Sequence, residues 1–539
     1  MGDRGRPTSI GSLFDWHAEA RRQTVMHLDR PFDVAPEGGL RHDAASLASI
    51  VSEASGWLHA AGLRRGDRLV VVKDNHYDVL MLAAAAARLG ALPVLIAPLS
   101  SIDAIRTMTI RADPAVVVAS PRILELAVRA GCELGGPRTR IVVLGEPGDG
   151  APPGAMRLAE LRGAAAPSPR PVRDDEPMIV THTSGTTGVP KLVVHSARTI
   201  LGTMSRLESL RLPIVASRLD DVVAIAVPFA HARAVSWTAG QFGLTPRGLV
   251  VVSDFGIDNV ARTLDEHRPT TLEACPNVFQ HWEELAVARP ELFRQVRLFA
   301  ATFDAVHPRT VRTFLGASAR RFPLWAQGWG QSEVGPVSVA TFTRRQVRKR
   351  GGARAVTSDI GWPVPVLVKA RVVDPETGRR QPRGVPGLLM VSTKGRCLDY
   401  LGESDRHRDK RDGEWWSTGD VGERGRFGRL RLVDREVDVI PGGSAIELES
   451  ILLDRLQRAD EVAVLGVPDR LPVPIVCTRD GRLDPDEWRA ATAGLPPMEE
   501  PRLVSWDEVP RTATWKVRRL ELREQVLGTK ESIGTGRWT

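Results

Sequence analysis

A loop rich in hydroxyl and glycine residues follows an apolar run in the segment Thr181–Lys191, which reads THTSGTTGVPK. Glycine lets backbone N–H groups approach a phosphate closely, and serine and threonine hydroxyls can donate hydrogen bonds to it. Pro190 stands where a Walker A loop has its second glycine, so the loop is not of that type. A polar hairpin loop is the alternative interpretation. The whole string favours a phosphate-binding site made by Thr183, Ser184, Gly185, Thr186, Thr187, Gly188 and Lys191.

Four later segments also combine residue types that can do chemistry. They are Val227–Val235 (VPFAHARAV), Gly328–Pro336 (GWGQSEVGP), Trp415–Ile440 (beginning WWSTGD) and Pro510–Glu524 (PRTATWKVRRLELRE). Each is ambiguous alone. A histidine after an apolar strand, such as His231, is more often structural, and Lys516 among arginines has the look of surface charge.

Taken together and in this order, the five segments resemble the motifs of the adenylate-forming superfamily, which includes acyl-CoA synthetases, nonribosomal-peptide adenylation domains and luciferases. The resemblance extends from about Leu13 to Val526. It implies ATP as co-substrate and Mg²⁺ as cofactor, and Mg²⁺ prefers few protein carboxylates plus phosphate oxygens. It implies these roles: His231 beside the acyl pocket, Trp329 on adenine, Ser332 on the α-phosphate, Glu333 on Mg²⁺, Asp420 on the ribose, Arg435 on the nucleotide and Lys516 as the adenylation lysine.

The chain departs from the family pattern at four places. The Gly-Gly-Ala stretch that lines the adenine pocket is replaced by AATFDA at 300–305. Asp434 replaces a glycine, and Val437 takes the usual hinge position. Pro441 replaces a lysine at the start of a shortened loop. Trp515 stands where a glycine precedes the catalytic lysine, which adds bulk beside the site.

The implied first reaction is the attack of a carboxylate on the α-phosphorus of ATP, which gives an acyl-adenylate and pyrophosphate. The acceptor in the second reaction stays open. The shortened loop belongs to the face that CoA ligases present to CoA, so we slightly favour an amine acceptor, as in amide-forming synthetases of secondary metabolism. His231 could then gate the pocket or accept the amine proton. CoA is the main alternative, a carrier protein is another, and a nonenzymatic nucleotide-binding protein is a third.

The identity of the acid cannot be derived from the sequence. The residues expected around its pocket indicate an apolar or aryl acid, and Arg233 could be a cationic anchor. The expected pocket residues are Phe229, Trp237, Cys275, Asn277, Phe303 and Gly328.

These segments need a scaffold, and the pattern of apolar runs predicts one. Apolar strands alternate with helical segments from Leu69 to Gln327, broken by a Pro/Gly-rich stretch at 145–177. This alternation predicts two doubly wound α/β subdomains with largely parallel sheets. A small β-barrel-like unit (Gly361–Leu432) and a small α+β cap should follow. We expect an N-terminal domain at 1–434 and a mobile C-terminal domain at 435–539.

Composition excludes several other classes of protein. The 539 residues are 42% hydrophobic and 26% charged, which is ordinary for a globular protein. The four cysteines form no CxxC pair, which suits a reducing cytoplasm. The net charge of +8 would allow a nucleic-acid partner, but the densest basic run, Thr343–Arg354, has no interleaved aromatic residue to stack on bases. We therefore expect a cytoplasmic protein with neither a nucleic-acid nor a membrane partner.

Overall fold

A computed structural model describes residues 7–98, 101–145, 151–170, 172–183, 189–211, 214–348, 355–440, 443–478, 480–531 and 533 of the chain. Along these ranges no helix combines the length and the apolar character needed to cross a bilayer. The longer helices are Leu13–Glu19, Ala44–Ala60, Asp78–Arg88, Ile102–Ala112, Pro121–Arg129, Ala232–Leu244, Ile257–His267, Pro276–His281, Glu283–Ala288, Pro308–Ala317, Ser404–Asp409, Ala445–Arg455, Pro485–Thr492 and Arg519–Leu527.

The first sheet has eight strands and a parallel centre. In spatial order they are Asp399–Tyr400, Leu192–Ser196, Pro177–His182, Leu92–Ile96, Arg68–Val72, Val116–Ala119, Arg140–Val143 and Met156–Arg157. Its central strands are buried on both faces: Leu69 and Val71 pack into one hydrophobic core, Val70 and Val72 into another. Such two-sided burial explains why these strands are continuous apolar runs.

The second sheet has fourteen strands and changes character along its length. Its parallel part contains Leu324–Gln331, Leu298–Ala301, Thr271–Ala274, Val222–Ala226, Gly248–Val251 and Val25–Leu28, with Arg41–His42 at the edge. Its antiparallel part contains Val368–Val373, Gly387–Thr393, Trp415–Arg424, Leu430–Arg435, Asp359–Pro363 and Gly335–Phe342, and Arg411–Asp412 pairs beside it. The predicted β-rich unit is thus continuous with the second α/β subdomain.

The two sheets share one hydrophobic core. Val223 and Ile225 of the second sheet pack into the same cluster as Leu69 and Val71 of the first. The alternate residues of that second-sheet strand, such as Ala224, pack into a separate core on the opposite face. The helices and sheets therefore form layers, and the two predicted α/β subdomains are confirmed.

The C-terminal part of the chain forms a small α+β unit. Its three strands, Ala459–Leu465, Val473–Thr478 and Arg502–Leu503, pack with the last three helices. This unit contacts the larger region directly, since Arg309 donates to the carbonyl of Ala459 (2.6 Å) and His307 lies 2.9 Å from the hydroxyl of Ser450. In chain order, the last strand of the second sheet ends at Arg435, next to the predicted boundary between residues 434 and 435. This domain boundary stays a prediction.

Candidate active site

A cavity of about 950 Å³ lies where the parallel strands of the second sheet end, beneath the C-terminal unit. Its walls come from the C-terminal ends of four neighbouring strands and from the segments that follow them: Pro228, Ala230 and His231, the helix start at Asn277, Thr302–Ala305 and Gly328–Glu333. The carboxyl ends of parallel strands meet at one edge of a sheet, and ligands of open α/β folds bind there. The fold therefore brings the separate sequence segments together.

The hairpin that carries Trp329, Ser332 and Glu333 depends on close approach of its two arms. A Cβ at Gly330 would lie 2.2 Å from the carbonyl oxygen of Gly335, which itself has φ +70°. Both positions therefore need glycine.

Two histidines hold Ser332 in place. His195 donates from Nε2 to the carbonyl of Ser332 (2.7 Å). His231 accepts the backbone N–H of Arg233 at Nδ1 (3.0 Å), so its proton is on Nε2, which donates to the hydroxyl of Ser332 (3.1 Å). Burial, helped by nearby His182 and Lys516, lowers the pKa of His231 to about 3. The geometry makes His231 a neutral hydrogen-bond donor, which weighs against the expectation that it accepts the amine proton.

Glu333 is a buried, ionised carboxylate between the two sheets. The hydroxyl of Tyr400, from the first sheet, donates to its Oε1 (2.6 Å). Burial works to raise the pKa of Glu333, but Lys410, the Tyr400 hydroxyl and Lys191 outweigh it and hold that pKa below its ordinary value. Lys191 lies over the Tyr400 ring, and burial lowers its own pKa to about 8. The ammonium groups of Lys410 and Lys191 and the carboxylate of Glu333 thus lie together, on the side of the cavity where the phosphates are expected.

Asp420, on the strand Trp415–Arg424 of the second sheet, also lines the cavity. Gln331 donates to its Oδ2 (3.1 Å), and the Nε of Arg435 lies 3.6 Å from its Oδ1. Burial raises the pKa of Asp420, against the opposing effect of Arg435 and Lys516. The carboxylate and the adjacent guanidinium form a polar pair suited to ribose hydroxyls.

The C-terminal unit delivers Lys516 into the cavity. Its ammonium lies 4.0 Å from Asp304, and its backbone N–H donates to the hydroxyl of Thr512 (3.1 Å). The preceding residue, Trp515, has φ +64°, a conformation that glycine adopts without cost. The indole packs on Phe255 and His281 of the larger region, with ring centroids 5.9 and 5.3 Å away, so these contacts offset the strain.

The part of the cavity around Arg233, called its polar end here, carries excess negative charge. Arg233 donates to both oxygens of Glu273 (2.6 Å each) and to Glu208, so two carboxylates surround one guanidinium. These carboxylates already balance the charge of Arg233, which weighs against the expectation that it is a cationic anchor for the acid. Among the described residues, Trp237 Nε1, Gln241 Oε1 and Asn277 Oδ1 are buried here without a hydrogen-bond partner.

The structure gathers most of the predicted residues around this cavity. Those that line it are Thr183, Lys191, His231, Trp237, Asn277, Phe303, Gly328, Trp329, Ser332, Glu333, Asp420, Arg435 and Lys516. Ser184, Gly185, Thr186, Thr187 and Gly188 lie outside the described residues. Val437 belongs to the single turn Glu436–Asp438, directly after the last strand of the second sheet.

Two predicted pocket residues lie elsewhere. Phe229 is fully buried and packs edge-to-face on Tyr77 (5.5 Å), because a turn between Pro228 and His231 breaks the strand alternation. Cys275 begins the helix Pro276–His281 and is buried in the hydrophobic core behind the second sheet. Neither residue lines the cavity.

Several residues in or beside the cavity could not be predicted from the sequence. Lys410, Glu208 and Glu273 line the cavity, Tyr400 contacts Glu333 beside it, and all four belong to no motif that the sequence displays. Gln331 lies inside the segment Gly328–Pro336 but was given no role there. In the sequence, Asp304 stood out only as part of the segment 300–305, which departs from the family pattern. The rarity of tyrosine, with two in the whole chain, was the one available signal for Tyr400.

Comparison with known proteins gives the family. The family model described as AMP-binding enzyme matches residues 16–401. The chain is 35% identical, over 98% of its length and 97% of the relative's, to a 3-amino-2-hydroxy-4-methoxybenzoate diazotase from Streptomyces cremeus. Its fold is similar to those of a benzoate CoA ligase from Burkholderia xenovorans LB400 (TM-score 0.76, 20% identity, 96% and 100% of the two chains) and the amide bond synthetase McbA from Marinactinospora thermotolerans (0.74, 20%, 96% and 100%). The chain belongs to the AMP-binding enzyme family and is an ATP-dependent, AMP-forming enzyme that activates an acid.

Proposed function

We propose that this enzyme activates a small oxyacid with ATP and transfers the activated group to the nitrogen of an aromatic amine, in a diazotisation. The observation that carries the proposal is the 35% identity to a diazotase along almost the full length of both chains. Diazotisation of an amine requires nitrogen at the oxidation level of nitrite. Nitrite is therefore the acid, and its oxygen attacks the α-phosphorus.

The polar end of the cavity supports an aromatic amine as the second substrate. A volume of about 950 Å³ is at the upper end of the range for small-molecule sites, which favours a second substrate beside the nucleotide and nitrite. At this end Glu208 and Glu273 surround the guanidinium of Arg233. Two carboxylates for one cation favour the binding of N–H and O–H donors over the binding of an anion. The unpartnered amide oxygens of Gln241 and Asn277 are acceptors for the same donors.

In the first step the protein's contribution is positioning and charge. Lys516 would meet the charge that develops on the transferring phosphoryl group, and Ser332, held by two histidines, would donate to the α-phosphate. Asp420 would hold the ribose, with Arg435 beside it, and Trp329 would pack on adenine. Thr183 and Lys191 would contact the outer phosphates together with Ser184–Gly188.

Glu333 is suited to hold Mg²⁺. It is a buried carboxylate with a lowered pKa, one oxygen oriented by Tyr400, and room beside it in the cavity for phosphate oxygens. Among the described residues no group of three acidic, histidine or cysteine side chains could form a protein-only site. A single carboxylate completed by phosphates is the arrangement that Mg²⁺ accepts. The bound ion would supply positive charge to the phosphates.

The second step forms a nitrogen–nitrogen bond. The amine attacks the nitrosyl nitrogen of the mixed anhydride, the N–O bond to AMP breaks, and AMP leaves with the electron pair. The resulting N-nitroso amine takes up a proton and loses water, which leaves the diazonium. Val437 would act as the hinge if the C-terminal domain moves between the steps.

The experiment combines the enzyme, ATP, Mg²⁺, ¹⁵N-nitrite and a panel of aromatic amines with and without a carboxylate group, with detection by mass spectrometry. Parallel reactions replace nitrite by aryl acids and offer either amines or CoA. We expect AMP together with a ¹⁵N-labelled diazo product that requires all components. Formation of an amide or a thioester, with no labelled diazo product, would instead establish the amide synthetase or CoA ligase alternative.

A further inference from the structure

Asp304 is a carboxylate in the cavity that the mechanism above does not use. It follows the strand Leu298–Ala301, and its side chain is one third exposed (34%) and lies 4.0 Å from the ammonium of Lys516. The residue before it, Phe303, has φ +90° and packs on the ring of His231 (4.7 Å between centroids). The backbone of a residue other than glycine is strained at this φ angle, and such strain persists where the surrounding structure holds the residue in place. The loop that carries Asp304 is therefore held in one shape beside Lys516.

The second step needs a proton acceptor at this place. An amine nitrogen that has attacked the nitrosyl group carries a positive charge and must lose a proton. His231 is a poor acceptor, because its Nδ1 already accepts the N–H of Arg233 and its Nε2 carries the proton. Glu273 is occupied by two hydrogen bonds from Arg233. Lys516 is a cation.

We infer that Asp304 is the proton acceptor for the amine, and this inference rests on the proposed function. As the N–N bond forms and the N–O bond to AMP breaks, the N–H proton moves to the carboxylate of Asp304. The remaining N–H proton shifts to the nitroso oxygen, which gives a diazohydroxide, and the carboxylic acid of Asp304 then returns its proton to that hydroxyl group, which leaves as water when the diazonium forms. Asp304 ends each cycle ionised, so the step needs no further reactant.

The position beside Lys516 fits this role. Lys516 would contact the reacting phosphoryl group. A carboxylate 4.0 Å from its ammonium would therefore lie close to the amine that attacks there. Asp304 Oδ1 accepts the N–H of Ala305 (3.0 Å), which fixes the orientation of the carboxylate. A general base in such a position typically contributes a factor of about 10²–10⁴ to the rate.

The test uses Asp304→Asn, which keeps the shape and removes the basic oxygen. Two rates are measured on the full-length enzyme: nitrite-dependent exchange of pyrophosphate into ATP, and formation of the ¹⁵N-labelled diazo product. We expect the ratio of product formation to exchange to fall about 100-fold. Asp304→Glu should restore part of it. Asp258→Asn, an exposed carboxylate on the helix Ile257–His267, is the matched control and should leave the ratio unchanged.

The outcomes separate the two proposals. Exchange and product formation that fall in parallel in Asp304→Asn would mean that Asp304 only positions Lys516, and would overturn the inference. An unchanged ratio would overturn it as well. Absence of the diazo product with wild-type enzyme, despite exchange, would refute the proposed function itself. A pH profile adds a readout: product formation by Asp304→Asn should rise with pH more steeply than that of the wild type, as hydroxide replaces the carboxylate.

Discussion

Removal of one hydroxyl group tests whether Glu333 is the metal-binding carboxylate. In Tyr400→Phe the ring keeps its packing on Trp416 (6.0 Å) and its place beneath Lys191, so only the 2.6 Å hydrogen bond to Glu333 is lost. A hydrogen bond to a buried charged group contributes about 1.5–3 kcal/mol. Lys410 and Lys191 continue to stabilise the carboxylate, so we expect the lower end of this range. Each ~1.4 kcal/mol is a factor of ten, which predicts an about 10-fold loss of kcat/KM for ATP.

The assay is pyrophosphate release as a function of Mg²⁺ concentration, and the chain offers a matched control. Its only other tyrosine, Tyr77, is also fully buried and hydrogen-bonded, to Thr238 at 2.8 Å. Tyr77→Phe makes the same chemical change away from Glu333 and should leave the Mg²⁺ dependence unaltered. If Tyr400→Phe keeps kcat/KM within twofold of wild type, or if both variants lose the same amount, Glu333 is not the metal carboxylate.

Three further predictions follow from single side chains. Lys516→Ala should lower pyrophosphate exchange at least about 100-fold without unfolding the protein, and near-normal exchange would contradict the role of the lysine. Because the pKa of Lys191 is lowered to about 8, its charge is present below that pH and lost above it; kcat/KM for ATP should therefore decline above pH 8 in wild type but stay level in Lys191→Arg. Asp78→Asn removes the buried carboxylate that lies 2.7 Å from the ammonium of Lys73 and leaves Asp33, which is one third exposed, as its remaining ionic partner, so it should cost about 3 kcal/mol in urea unfolding. Asp74→Asn, which breaks an exposed pair, should cost about 0–1 kcal/mol, and equal losses would refute this explanation.

Much of the scaffold could be predicted because its strands are buried on both faces. Segments such as Arg68–Val72 and Val222–Ala226 are apolar runs for that reason, and their alternation with helices indicates parallel sheets. Continuity between the β-rich unit and the second sheet was not predictable. It depends on pairing of Gly335–Phe342 with Asp359–Pro363, which are separated by a basic segment of no clear pattern.

The site was predictable where a local motif carries the chemistry. Ser332 and Glu333 lie on one hairpin whose glycines leave a recognisable spacing. Tyr400 reaches the same carboxylate from the other sheet, and no local pattern records a contact between distant elements. Phe229 and Cys275 were misplaced for a different reason, since a turn and a helix start rotate their side chains away from the cavity at the ends of the strands.

The fate of the acid's oxygen tests the central claim most directly. The enzyme is incubated with ATP, Mg²⁺, an aromatic amine and nitrite labelled with ¹⁸O, and the AMP is analysed by mass spectrometry. If nitrite attacks the α-phosphorus and the amine then attacks the nitrosyl nitrogen, each AMP formed with the diazo product carries one ¹⁸O atom. Unlabelled AMP, or label that appears only in phosphate or pyrophosphate, would contradict activation of the acid as an adenylate.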